Sequence, residues 1–158
     1  MQAENSKQKP LWRLILTLFL VSVFFSYPWE LAQSPLYICS DTSTMMWWHC
    51  FLASLGDGTL ILLIFFIGYA VFGKPDWFEA PGASGYTVML VAGAMIGASV
   101  EWVAVSILEL WAYNSRMPLV PGLKIGITPS AQMLILPPLI FHVATLWIDR
   151  NHSTRAKI

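Results

Sequence analysis

Asp57, Glu101 and His142 are the residues whose types and setting point to chemistry, because each interrupts a run otherwise apolar enough to cross a bilayer. A charged side chain near the bilayer centre costs roughly 2.5 to 3.5 kcal/mol on insertion scales, so such a group is a functional candidate with partners to be found. Centring each apolar run on the membrane midplane places all three within about 8 Å of depth, at ~1.5 Å of rise per residue. The expectation is one intramembrane polar pocket built from two carboxyls and an imidazole. Two carboxylates in one buried site do not both ionise cheaply, so one is expected to hold a proton near neutral pH. That arrangement suits proton exchange, general acid catalysis on a membrane-embedded substrate, or binding of a cation. The competing expectation is polar glue, with the three groups hydrogen-bonded to fix helix packing.

Further polar residues sit near the ends of the apolar runs. Glu30, Gln33, His49, Glu109, Arg116 and Gln132 are expected to form an outer rim, with Glu30 and Gln33 read as a solvated helix end and Arg116 pairing with Glu109 or Glu30. Soft sulfur beside imidazole at Met46, His49 and Cys50 suits Cu(I) or zinc, yet neither a CxxC nor an HxxxH spacing supports it, so no metal is expected. Cys39 and Cys50 would close a loop of about ten residues if bridged in an oxidising compartment, and two thiols are the default. Without an ExxH pair, a di-iron bundle centre is not expected. No phosphate-binding loop, HExxH or GxSxG is present, and the sequence leaves any cofactor unknown.

The elements that must position these residues follow from composition. In 158 residues, 56% are hydrophobic and only 11% charged, which excludes an ordinary soluble domain. Runs of about 18 or more apolar residues read as membrane spans. Four are present, at about 11–29, 45–72, 85–113 and 131–148, so the expected fold is all-α, a single integral membrane four-helix bundle. The start of the chain also imitates a signal peptide, with basic residues, an apolar stretch and a small-x-small Ala32-Gln33-Ser34. Tyr27 and Trp29, which suit a membrane interface, favour an uncut span.

Ser43 or Thr44 is the expected N-cap of the second span. In the third, Gly93, Gly97 and Glu101 recur every four residues, a small-xxx-small pattern that allows close helix approach and carries Glu101 into the contact. Pro137 and Pro138 are expected to kink the fourth. The loop from Asn114 to Ser130 holds three prolines and two glycines yet stays apolar, which suits equally a cap dipping onto the bundle and a plain surface loop. Trp77 and Phe78 are expected at the opposite interface.

Net charge is zero, so no nucleic-acid partner is implied and the distribution of charge matters instead. Lys7, Lys9, Arg13, Lys74, Arg150, Arg155 and Lys157 fall on one side of the spans, and only Arg116 and Lys124 on the other. Both termini are expected to be cytoplasmic, in the inner (plasma) membrane of a bacterial cell. The leading function is binding of a small or lipid-like ligand, with proton coupling. Alternatives are an accessory or assembly subunit with a membrane-protein partner, and a small enzyme working on an isoprenoid or lipid by acid/base chemistry.

Overall fold

A computed structural model describes residues 10–38 and 43–155, with residues 43–46 and 151–155 described through their backbone alone. Cys39, the side chain of Met46 and the basic residues Lys7, Lys9 and Lys157 therefore lie outside the described residues, as does the side chain of Arg155.

Four long helices carry the fold: α1 (Leu11–Gln33), α2 (Ser43–Phe72), α3 (Gly82–Ser106) and α4 (Ile127–Arg155), with a single 3₁₀ turn at Ser34–Leu36 after α1. The stretches Leu11–Leu36, Trp47–Phe72, Gly82–Ser106 and Ile127–Arg150 are each long and apolar enough to cross a membrane. Their outward faces carry large apolar side chains such as Leu20, Phe24, Phe66, Met95, Leu139 and Trp147, the surface that helices in lipid present. Each helix packs on its two neighbours in the ring α1, α2, α3, α4, with α1 also against α4. Up-down-up-down connection puts the α1–α2 and α3–α4 links at one end, here the capped end, and the α2–α3 link with the start of α1 and the end of α4 at the other.

Close approach of α3 and α4 follows from the glycine stripe. A Cβ on Gly93 would run into the backbone carbonyl of Met133, and one on Gly97 would meet the Met133 side chain at 2.8 Å. The third element of that stripe, Glu101, is buried. On the other side, Gly58 of α2 admits Phe19 and Val23 of α1.

The α2–α3 link departs from expectation. Trp77 and Phe78 are not presented outward as interfacial side chains would be; both turn back into the core, where Trp77 stacks on Phe72, each packs on Phe141, and Trp77 Nε1 donates to the Phe65 carbonyl at 3.1 Å. Gly68 makes room for the indole, which occupies the place its Cβ would take. An indole whose N–H finds a carbonyl is stable inside a core, and that bond removes the reason for a wet position.

The third helix also ends earlier than its apolar run. At Ser106 it opens out: the Leu108 N–H reaches back to the Val103 carbonyl, the Leu110 N–H to Ala104, and Glu109 takes a left-handed φ of 49°. Trp111 and Tyr113 therefore belong to the capping segment and not to a continuing span. That segment, 107–126, pairs with the stretch that follows α1 through Ile38 N–H to Ala112 O at 2.8 Å and Asn114 N–H to Leu36 O at 3.0 Å. It then folds on itself between Pro118 and Ile127, with left-handed Gly122 and Lys124 at the bend. Met117 and Ile125 are buried beneath it, so the apolar loop does cap the bundle.

Candidate functional site

The polar residues of the capped end converge from three helices. Gln33 of α1 donates through Nε2 to Glu30 Oε1 at 2.7 Å and to Gln132 Oε1 of α4 at 3.2 Å. Gln132 in turn donates through Nε2 to Asp57 Oδ2 of α2 at 2.6 Å. Ser26 and Glu30 also lie within hydrogen-bonding reach of Asp57, and Gln132 within reach of Glu30. Helix periodicity explains the α1 set: Ser26, Glu30 and Gln33 are four and three residues apart and so share a face. Gln33 and Gln132 are only 5% and 3% exposed, and among the described residues the neighbours acting on Glu30 and Asp57 include no basic side chain.

Acceptors outnumber donors in this network. Glu30 and Asp57 offer four carboxyl oxygens and the two glutamines two more, against four amide hydrogens and the Ser26 hydroxyl. The deficit shows at one atom: Gln33 Oε1 is buried with no hydrogen-bond partner. A buried acceptor left without a donor costs about 1 to 3 kcal/mol. Exchanging the amide's oxygen and nitrogen does not repair it, since that would set oxygen against Glu30 Oε1.

Glu101 stands beside this network rather than inside it. Its Oε1 accepts from Trp111 Nε1 at 3.3 Å and from the Tyr113 hydroxyl, which itself accepts the Gly126 N–H at 2.9 Å. The carboxyl thus pins both ends of the capping segment to α3. Tyr37 packs edge-on against Trp111 and beside Tyr113, their rings 6.5 and 5.6 Å away, and closes the aromatic cap. Burial first, then the charges of Glu101 and Glu30, push the Tyr37 phenol well above its ordinary value. Burial and the hydrogen bond to Glu101 do the same to Tyr113. Both phenols therefore stay protonated donors near neutral pH.

The structure does not bring His142 to Asp57. Gln132 is the α4 residue at the level of Asp57, and His142 lies ten positions further along the same helix, about 15 Å away along the axis. It is exposed and lines a recess of about 70 Å³ with Glu79, Tyr86, Pro138, Phe141 and Thr145 near the terminal end. Centring every span at one depth misplaced it, because α4 starts only five residues before Gln132 while α2 starts fourteen residues before Asp57. The capping segment occupies the depth by which α3 and α4 fall short.

The expected rim divides in the same way. Glu30, Gln33 and Gln132 belong to the network, so the end of α1 is not a solvated helix end; His49, Glu109 and Arg116 are exposed. Glu30 is not met by Arg116, whose backbone N–H bonds Asn114 Oδ1 at 2.8 Å. Cys50 is buried in α2 while the adjacent His49 points outward, and no group of three or more His, Cys, Asp or Glu side chains among the described residues is placed to hold a metal ion. A wider groove of about 550 Å³ between α1 and α2, lined by Phe24, Tyr27, Trp47, Trp48 and Phe51, carries no carboxylate and no basic group.

The chain matches no protein-family model, no curated protein and no solved structure. Its functional reading rests on its own residues.

Proposed function

We propose that this is a multi-pass integral membrane protein that binds a small polar ligand, or the polar head of a lipid-like one, at a protonatable site made by Glu30, Gln33, Asp57 and Gln132. The observation that carries this reading is the buried, unpartnered Gln33 Oε1 inside a network of acceptors that has no basic neighbour among the described residues. Groups that served only as packing glue would leave donors and acceptors matched, as buried polar networks elsewhere do. An occupant that supplies hydrogen or positive charge completes the set. Two carboxyls within hydrogen-bonding reach of each other need one proton between them, since ionised carboxylates only accept. Occupancy is therefore linked to protonation. Seven of nine basic residues flank the terminal end, which supports cytoplasmic termini and a capped end that faces outward, toward the source of the ligand.

Thermal unfolding in mild detergent from pH 5 to 8 tests the reading. The folded pair holds a proton that free carboxylates in the unfolded chain release, so the native state binds more protons and wild-type stability falls as pH rises. Glu30→Gln and Asp57→Asn keep shape and hydrogen-bonding capacity, and each should flatten that slope. An identical slope in all three proteins contradicts the proposal.

A further inference from the structure

We infer that the occupant of this site is a single monovalent cation held by oxygen atoms, an inference that rests on the binding reading above and names its ligand class. The first ground is charge. With one proton between them, Glu30 and Asp57 retain one negative charge, and the side chains that hydrogen-bond to the pair, Ser26, Gln33 and Gln132, are neutral. A lone negative charge among apolar helices is costly, and one positive charge cancels it.

The second ground is the donor set. The acceptors of the set are all oxygens: the two carboxyls, Gln132 Oε1 and the orphaned Gln33 Oε1, whose amide is fixed by its own two donations at 2.7 and 3.2 Å. Hard oxygen ligands without sulfur or imidazole suit an alkali ion or an ammonium group. Gln33 Oε1 accepts the bond or ligates the ion, and so acquires the partner it lacks.

The titratable groups around the pair come from each packed element: Glu30 on α1, Asp57 on α2, Glu101 on α3, and Tyr37 and Tyr113 in the two capping links, while α4 contributes the neutral Gln132. A second proton on the carboxyl pair removes the charge that holds the cation. Cation affinity therefore falls as pH falls, by up to tenfold per unit when one proton competes with one ion.

The test is the unfolding temperature of the full chain in detergent, titrated with sodium, potassium or methylammonium chloride, with tetrapropylammonium chloride holding ionic strength constant. A saturable rise of roughly 5 °C at about a hundred times Kd, larger at pH 8 than at pH 5, is expected from one of these ions. Sodium or potassium responding identifies an alkali ion; methylammonium alone responding identifies an amine head group. Gln33→Leu, which removes the orphaned oxygen, should weaken that response at least tenfold. No response of wild type to any of the three ions, or an unchanged response in Glu30→Gln and Asp57→Asn, overturns the cation assignment. If the wild-type pH slope survives, the protonatable site stands without it; if that slope is also absent, both fall.

Discussion

Gln132 donates its side-chain amide to Asp57 Oδ2 at 2.6 Å, and this one bond fixes the relative depth of α4 and α2. It sets a polar residue five positions into α4 against a carboxyl in the middle of α2, and it leaves the histidine of α4 far along the helix. Gln132→Leu removes a donor to Asp57 and an acceptor for Gln33 together. The expected loss is about 1 to 3 kcal/mol, or several degrees in unfolding temperature at roughly 2 to 4 °C per kcal/mol for a chain of this size. His142→Gln, outside the network, should leave both the unfolding temperature and its pH slope within error of wild type.

The α3–α4 contact gives a contrast that packing alone decides. Gly93→Ala drives a methyl into the Met133 carbonyl and should cost about 1 to 3 kcal/mol. Gly56→Ala, which meets nothing within 4 Å, should be neutral or stabilising by up to about 1 kcal/mol, since alanine favours a helix. Equal unfolding temperatures for the two variants would contradict the close approach.

Tyr113 ties the cap to Glu101 and to the Gly126 N–H. Tyr113→Phe should speed hydrogen exchange at Gly126 and through residues 107–126 while leaving exchange in α2 unchanged. Because the phenols of Tyr37 and Tyr113 are raised above their unfolded value of about 10, the folded cap binds more protons than the unfolded chain there. Its stability is thus fully present below about pH 10 and is lost as pH rises through the folded values. Tyr113→Phe should reduce that alkaline loss.

Orientation is tested by labelling. In a background lacking Cys39 and Cys50, Ser115→Cys in the cap should react with an impermeant thiol reagent added to intact cells, and Ser84→Cys at the start of α3 should not. Reaction at Ser84 alone reverses the topology that the basic residues imply.

Much of this architecture was legible from local pattern. Apolar length marked four spans, and the Gly93–Gly97–Glu101 stripe packs as its spacing requires. Register was not legible, because a run of apolar residues records that a helix is immersed but not how far it is shifted against its neighbour. That shift turned Asp57 toward Gln132 and Glu30 in place of His142. Glu30 and Gln33 read as a helix end since they close an apolar run, although with Ser26 they form the one polar face on α1 that a buried carboxyl would need. Trp77 and Phe78 resembled interfacial residues by type, and only the gap left by Gly68 shows why they are buried.

The central claim is that Glu30 and Asp57 share one proton within a single site, and infrared spectroscopy of the reconstituted protein near neutral pH reads it directly. The account predicts a carbonyl band from one protonated carboxyl that shifts on deuteration and disappears in Glu30→Gln and in Asp57→Asn alike, because either variant removes the pair that holds the proton. A wild-type spectrum without that band, or a band surviving in both variants, would contradict it.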